Sequence, residues 1–458
     1  MNTKSVIQGY GKELKRGTGR LARSLTFGEA VSIGIGAMIG GGIFAVIGII
    51  VGIAGIFAPV SLILCTLIAL FTGYSYAYLS RKYPLCGASY TYVKEIFGEL
   101  AGGLTGWISW FACVSACAMY AVAFGYYMSY FVRVPWEIWG ALLIILLVIV
   151  NILGAKAMGR FESILVALKV GILLLFIGAG ILLAWGRVKE AFAGLSVKGI
   201  MSSTTPILIA ASIIFIAYEG FEAIATSSEE VKDPNVVSKA IFTSIIVVAS
   251  IYLLVTIISI GVSGIGKFSE SNAPLAFAAR NFLGNIGEVL LWLGGIFATS
   301  SAYNACLYSG SRILYAMARD GLAPSTFASV NERTNVPYMS ILVTALLSGI
   351  VFVAVGALAS TSLLASLLFM FLFLIVNISA TKSCIQSRNG KGKIMTGTAA
   401  VFIAFLFAIV FLQQTISNIA LGMTAAVLLL SALLSYKFSA KLINDAEIPI
   451  KIGEEIYK

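Results

Sequence analysis

The stretch GIGAMIGGGIF, residues 34–44, places three consecutive glycines, Gly40, Gly41 and Gly42, in the middle of an apolar run that extends from 27 to 52. A run of that length can cross a bilayer as a helix, because about 20 residues rising 1.5 Å each cover a hydrocarbon core about 30 Å thick. Each glycine weakens a helix interior by about 1 kcal/mol relative to alanine, so three together predict that the backbone unwinds there. At membrane depth, unwound backbone is tolerated only where its polar groups meet protein, water or a ligand. A second half-helix starting near Gly42 would aim free N–H groups and the positive end of its dipole inward, an arrangement suited to a carboxylate. Gly36 and Gly40 also match a G-x-x-x-G packing face, and the glycines alone leave both readings open.

Working outward from this run, the chain holds about twelve such segments, at approximately 27–52, 57–80, 98–132, 137–154, 161–185, 205–227, 239–264, 285–317, 337–356, 360–382, 394–413 and 416–436, called here spans 1 to 12. The runs are continuous rather than alternating apolar and polar every other residue, which predicts an all-α integral membrane protein and excludes a β-barrel. The composition agrees, with 59% hydrophobic and 11% charged residues over 458 positions and a mean hydropathy of +0.98. No soluble domain fits in what remains. The expected organisation is a basic tail at 1–26, one transmembrane unit at 27–436 and a second tail at 437–458. The first run is too long, and lacks the small-residue cleavage site, for a removable signal peptide. The connection 383–393, SCIQSRNGKGK, reads as a flexible, solvated cytoplasmic loop. The chain contains no histidine, which removes histidine-based triads, metal sites and proton relays. The six cysteines lack C-x-x-C spacing and read as small buried hydrophobes, with no metal or other cofactor expected.

The net charge of +11 reports orientation rather than a nucleic-acid partner. Of the 31 Lys and Arg, twenty-four fall in the tails and even-numbered connections, Arg312 among them, and six on the other side: Arg133, Arg187, Lys189, Lys198, Lys267 and Arg280. Basic residues of short loops are retained in the cytoplasm, so both termini are expected there, in a multi-pass protein of the cell membrane. The one left over is Lys169, about eight residues into span 5, too deep for easy snorkelling. A buried ammonium is disfavoured, so this lysine can exchange a proton where an exposed one would not.

Span 6 carries the second interruption, FIAYEGFEAIATSSEEVKDP at 215–234, where Glu219, Gly220 and Glu222 break an apolar run at similar depth. An ionisable side chain inside a membrane helix is disfavoured by at least about 2.5 kcal/mol and marks a functional site by default. Glu222 would lie in the first turn of a half-helix resuming after Gly220, where a negative charge is favoured. Interrupted segments in corresponding positions of two halves point to a transporter binding site. Spans 1 and 6 are related by five helices, which suggests an inverted repeat over approximately 27–185 and 205–382, with spans 11 and 12 at 394–436 appended.

Four motifs, GAMIGGGIF at 36–44, PLCGASYTYV at 84–93, FIAYEGFEAIATSSEEVKDP at 215–234 and SGSRILYAMARDGLAP at 309–324, occur in an order and spacing that resembles the amino acid–polyamine–organocation superfamily, and within it the amino acid permeases. The resemblance implies a five-plus-five inverted repeat with a substrate pocket between broken helices 1 and 6. It implies that an amino acid carboxylate meets the amides of Gly40, Gly41, Gly42 and Ile43. The ammonium meets the carbonyls of Met38, Ile39, Ile216, Ala217 and Glu219, with Tyr218 and Gly220 in the same segment and Tyr120, Phe221, Tyr303 and Asn304 as further candidates for the pocket lining. Glu219 departs from the family, whose members often have an apolar residue there.

Lys169 resembles the helix 5 lysine of proton-coupled members, whose ammonium stands where others hold sodium. The implied mechanism has Lys169 bonding carbonyls near Gly36 and the hydroxyl of Ser300 or Ser301, with Glu222 as a second proton carrier. The expectation is therefore a secondary active amino acid transporter using proton symport, not an enzyme. An amino acid exchanger, a cationic amino acid or polyamine transporter and a nontransporting sensor are the alternatives. Substrate identity and the choice between monomer and homodimer stay open. A membrane-embedded enzyme lacks its residues, because the spans contain no Asp and no His.

Overall fold

The computed structural model describes residues 25–447, apart from Cys86, Lys232, Asn272, Glu332 and residues 413–417. Most of the basic N-terminal tail, the end of the C-terminal tail, Cys86 and Lys232 therefore lie outside the described residues. Among the described residues the secondary structure is helical, and the β contact present is an isolated parallel bridge between Leu25 and Val231. Ten helical stretches among the described residues are long and apolar enough to cross a membrane, and two shorter apolar helices, Phe27–Met38 and Trp136–Ile152, stand in spans 1 and 4.

Span 1 comprises Phe27–Met38 and Ile47–Ala54, joined through a π-turn at Gly42–Val46. Spans 2 to 5 are Ala58–Lys82, Glu99–Phe131, Trp136–Ile152 and Ala155–Phe192. Span 6 comprises Thr204–Ile214, a tighter turn at Phe215–Tyr218, and the short helix Glu222–Thr226. Spans 7 to 12 are Pro234–Ser263, Pro274–Arg319, Tyr338–Val355, Leu358–Gln386, Gly390–Leu412 and Asn418–Glu447. Helix starts follow local chemistry. Thr26 and Glu29 form a reciprocal capping box on span 1, and Asp233 caps span 7 by accepting the Asn235 N–H, with Pro234 in the first turn where it lacks no needed donor.

Two connections differ from the sequence expectation. Residues 383–393 are mostly helical, because span 10 runs to Gln386 and span 11 starts at Gly390, leaving Ser387–Asn389 as the turn. The polar stretch 264–284 holds the helix Gly266–Glu270 and the first turns of span 8, which bends at Gly284, where φ is +64°. Polar composition misleads there because helices persist beyond the hydrocarbon thickness.

The packing repeats under a shift of five. Span 8 packs on span 5 as span 10 packs on span 3; span 7 packs on the first half of span 1 as span 2 packs on span 6; and span 3 packs on span 4 as span 8 packs on span 9. Spans 3 with 8, 2 with 7, 1 with 6 and 4 with 9 make contacts that map onto themselves. Five is odd, so corresponding spans run through the bundle in opposite directions, as in inverted-repeat transporters. Spans 11 and 12 lie outside this set, against spans 2, 3, 6 and 10. Exposed apolar side chains such as Leu175, Leu182, Leu346 and Val353 mark the lipid-facing surface.

Candidate functional site

The first half of span 1 ends at Met38. Ile39 leaves helical geometry (φ −77°, ψ 80°), and the Gly40 N–H turns back to the Met38 carbonyl at 2.9 Å. Close packing, rather than flexibility, requires glycine here. A Cβ on Gly42 would lie 2.7 Å from the Ala217 Cβ, and one on Gly40 would lie 2.6 Å from the Ala302 Cβ and 2.7 Å from the Tyr120 ring. The break in span 1 is thus wedged between spans 3, 6 and 8. The amides of Gly41, Gly42 and Ile43 find no acceptor among the described residues, as befits the first turn of a half-helix.

Span 6 breaks beside it. Glu219 is extended (φ −70°, ψ 146°) and Gly220 has φ +123°, with the position of a Cβ only 2.6 Å from the Ala37 Cβ and 2.7 Å from the Met38 nitrogen. Only glycine meets both demands. The Glu222 carboxylate accepts the Gly220 N–H at 2.8 Å. On the carbonyl side, the Tyr252 hydroxyl of span 7 lies 2.6 Å from the Met38 oxygen and 3.0 Å from the Ala217 oxygen, joining the ends of both interrupted helices. The Ile216 oxygen accepts from the Glu219 N–H at 3.2 Å.

Lys169 is fully buried. Its ammonium donates to the carbonyls of Gly36 at 2.8 Å and Ile39 at 2.6 Å and to the Ser301 hydroxyl at 2.8 Å. Ser300 instead turns its hydroxyl to Ile296 in its own helix, so of the two serines Ser301 meets the lysine. Ser301 in turn donates to the carboxylate of Glu162, which is 1% exposed. Glu162 also accepts from Asn304 at 2.8 Å, and Asn304 accepts from Asn151 of span 4.

Sequence reasoning passed over Glu162 because it opens the predicted span 161–185 and reads as an interfacial residue. The signal was present, since Glu162 and Lys169 are seven residues apart on one helix face. Tyr252 left no comparable signal, because an aromatic in an apolar run is ordinarily packing.

Toward the Leu25 end of span 1 the helices are tied by charge. Glu230 (2% exposed) pairs with Arg312 (1% exposed) at 3.5 Å and accepts the Tyr308 hydroxyl at 2.5 Å, while the Arg312 guanidinium stacks 3.8 Å over the Tyr308 ring. Arg319 pairs with Glu229 at 3.1 Å, and Lys94 with Asp320 at 2.6 Å. Arg312, counted from sequence with the cytoplasmic connection, is therefore interior. The Leu25 N–H donates to the Glu230 carbonyl at 2.9 Å, linking the entry to span 1 with the end of span 6.

Between this closure and the breaks lies a small cavity bordered by Ala37, Cys113, Gly220, Glu222, Cys306 and Phe369. Of the side chains suggested as lining, Tyr120 lies against Gly40 and Phe221 stacks on Phe373. Tyr218 points to Thr66 and Leu62 of span 2, Tyr303 to Ser348 of span 9, and Asn304 to Glu162. The five cysteines described are free.

A family model described as "Amino acid permease" matches residues 25–433. The chain is 30% identical over 370 residues to the methylthioribose transporter of Bacillus subtilis (strain 168), covering 74% of this chain and 77% of that protein. It is 28% identical over 405 residues to the branched-chain amino acid permease BcaP of Lactococcus lactis subsp. cremoris (strain MG1363), covering 80% and 83%. It is 31% identical over 295 residues to the inner membrane transport protein YbaT of Escherichia coli (strain K12), covering 62% and 67%.

Proposed function

We propose a function from an established premise: this chain belongs to the amino acid permease family of the amino acid–polyamine–organocation superfamily, and is a multi-pass membrane transporter rather than an enzyme. Its activity is uptake of an amino acid by alternating access, driven by symport of a proton. The observation that carries this reading is the Lys169 ammonium, whose three hydrogen bonds join the end of the first half of span 1, at Gly36 and Ile39, to span 8. A charge in that position holds the arrangement closed, and loss of one proton weakens three contacts together.

The proton has a path that balances. Lys169 gives a proton to the Ser301 oxygen as Ser301 passes its own to Glu162, so an ammonium and a carboxylate become an amine and an acid, one proton moved and the summed charge of the pair unchanged. Glu162 then releases its proton toward the cytoplasm, two turns nearer the start of span 5. With the tie loosened, Phe27–Met38 swings from span 8 and substrate leaves inward.

The substrate carboxylate rests on the amides of Gly41, Gly42 and Ile43, next to Gly40, whose own N–H already bonds the Met38 carbonyl. Its ammonium rests at the negative ends of the interrupted helices, around Met38, Ile39, Ile216, Ala217 and Glu219. Glu222, which holds the Gly220 N–H, is the second proton carrier. Sodium coupling is disfavoured because the lysine's charge occupies the cation's place. The excess of basic residues on one side assigns both termini to the cytoplasm and the protein to the cell membrane. The relatives' names cover a branched-chain amino acid permease and a methylthioribose transporter, so the shared backbone frame leaves side-chain preference to the pocket walls.

Purified protein in liposomes free of internal amino acid tests the reading. An acid-outside gradient should drive accumulation that a protonophore abolishes. Uptake that ignores the gradient and requires amino acid inside would replace symport with exchange, and binding without accumulation would indicate a sensor.

A further inference from the structure

The acceptors around the two breaks are unequally occupied. The Met38 and Ala217 carbonyls share the Tyr252 hydroxyl, the Ile39 carbonyl accepts from Lys169, and the Ile216 carbonyl accepts from the Glu219 N–H. No donor to Glu219 is found among the described residues, on its carbonyl or on its side chain. It is 4% exposed, and its Oε1 is buried with no hydrogen-bond partner. No lysine or arginine pairs with it among the described residues, and Glu222, three residues on, is itself occupied by the Gly220 N–H.

A buried carboxylate without donors is an expensive arrangement, because the lost hydration is not replaced. Glu219 also lies where a ligand would. Its chain neighbour Gly220 abuts Ala37 and Met38 at the end of the first half of span 1 and borders the small cavity, and Glu219 itself is the extended residue that ends the tighter turn of span 6. Unpartnered amides thus stand at the span 1 break and an unpartnered carboxyl oxygen at the span 6 break beside it.

We propose that the Glu219 carboxylate is the direct ion-pair partner of an ammonium group on the substrate, taking over the role of backbone carbonyls that already have donors. The proposal rests on the reading of the Gly41, Gly42 and Ile43 amides as the carboxylate site. An ammonium brings a positive charge and several N–H donors, so it satisfies the bare Glu219 oxygen. The same chemistry serves an α-ammonium or the distal ammonium of a basic side chain.

Full-length protein is tested by thermal stabilisation and by competition for uptake. The probes are L-leucine, N-acetyl-L-leucine, isopentylamine, L-lysine and Nε-acetyl-L-lysine. The expected result is stabilisation by probes with a free ammonium and none by N-acetyl-L-leucine. Glu219→Gln should then lose about tenfold to a hundredfold in affinity while its unliganded melting stays near wild type, and Glu219→Asp should keep part of the affinity. Binding of leucine and of Nε-acetyl-L-lysine assigns the α-ammonium; binding of lysine but neither of those assigns the distal one, and both outcomes support the proposal. Unchanged affinity in Glu219→Gln, or equal binding of N-acetyl-L-leucine by wild type, overturns the role of Glu219 while wild-type uptake leaves the transporter reading standing. A wild-type protein stabilised by none of the probes and by no other amino acid or aliphatic amine overturns both.

Discussion

Replacing Lys169 by methionine keeps most of the side chain's volume and removes its charge, so the consequence follows from the groups left behind. The Gly36 carbonyl retains the Ser301 hydroxyl at 3.3 Å, and Ser301 retains Glu162 as an acceptor. The Ile39 carbonyl is different, because Lys169 at 2.6 Å is the donor recorded for it. An unsatisfied buried acceptor costs about 1–3 kcal/mol. Glu162 loses the positive charge that balances it, and removing one member of a buried pair typically destabilises by about 3–5 kcal/mol in total. Lys169→Met should therefore melt well below wild type and fail to couple uptake to a pH gradient. The double variant Lys169→Met with Glu162→Gln removes the stranded charge and should recover all but the Ile39 share, about 1–3 kcal/mol. The assay is apparent melting in detergent for the wild type, both single variants and the double variant, combined with gradient-driven uptake. Additive losses across the cycle, or a single variant that melts and transports like wild type, would refute the linkage of Lys169 to Glu162.

Gly41→Val should block uptake by crowding the carboxylate site, because even its Cβ would lie 3.3 Å from Ala123 and 3.5 Å from Tyr120; retained substrate affinity would place the site elsewhere. Gly220→Ala combines a strained φ with a Cβ 2.6 Å from Ala37, so it should destabilise by more than about 1 kcal/mol, measured as melting, whereas a wild-type melt would mean that this backbone readily adjusts. Tyr252→Phe removes one hydroxyl serving two carbonyls, Met38 and Ala217, and should destabilise by about 1–3 kcal/mol and slow uptake; melting and transport rates equal to wild type would dismiss the tie.

Much of the fold was legible from composition and glycine placement. Apolar runs of sufficient length specify helices whatever surrounds them, because a bilayer accepts no other open backbone. Gly40 to Gly42 and Gly220 marked both interruptions, since glycine is the residue a close backbone approach demands. Lys169 stood out for the same kind of reason, as a charge where the solvent forbids charge. Legibility failed where a residue's meaning depends on what faces it. Glu162 at a predicted helix edge and Tyr252 inside an apolar run look like an interfacial charge and ordinary packing until spans 1, 6 and 8 come against them. Ser300 and Ser301 are adjacent in sequence, and helix rotation alone assigns one to Lys169 and the other to its own backbone. Arg312 likewise reads as a loop charge until Glu230 is seen beside it.

The sequence by itself determined which segments are helices, where two of them break and that a lysine lies inside, because propensity, hydropathy and the bilayer's refusal of bare polar groups act on the chain locally. Only the tertiary structure decided which freed carbonyls are already satisfied, which serine meets the lysine and which carboxylate is left without a donor. Hydrogen-bond partnership is a property of facing surfaces, and a one-dimensional pattern does not contain the rotation and approach of one helix against another.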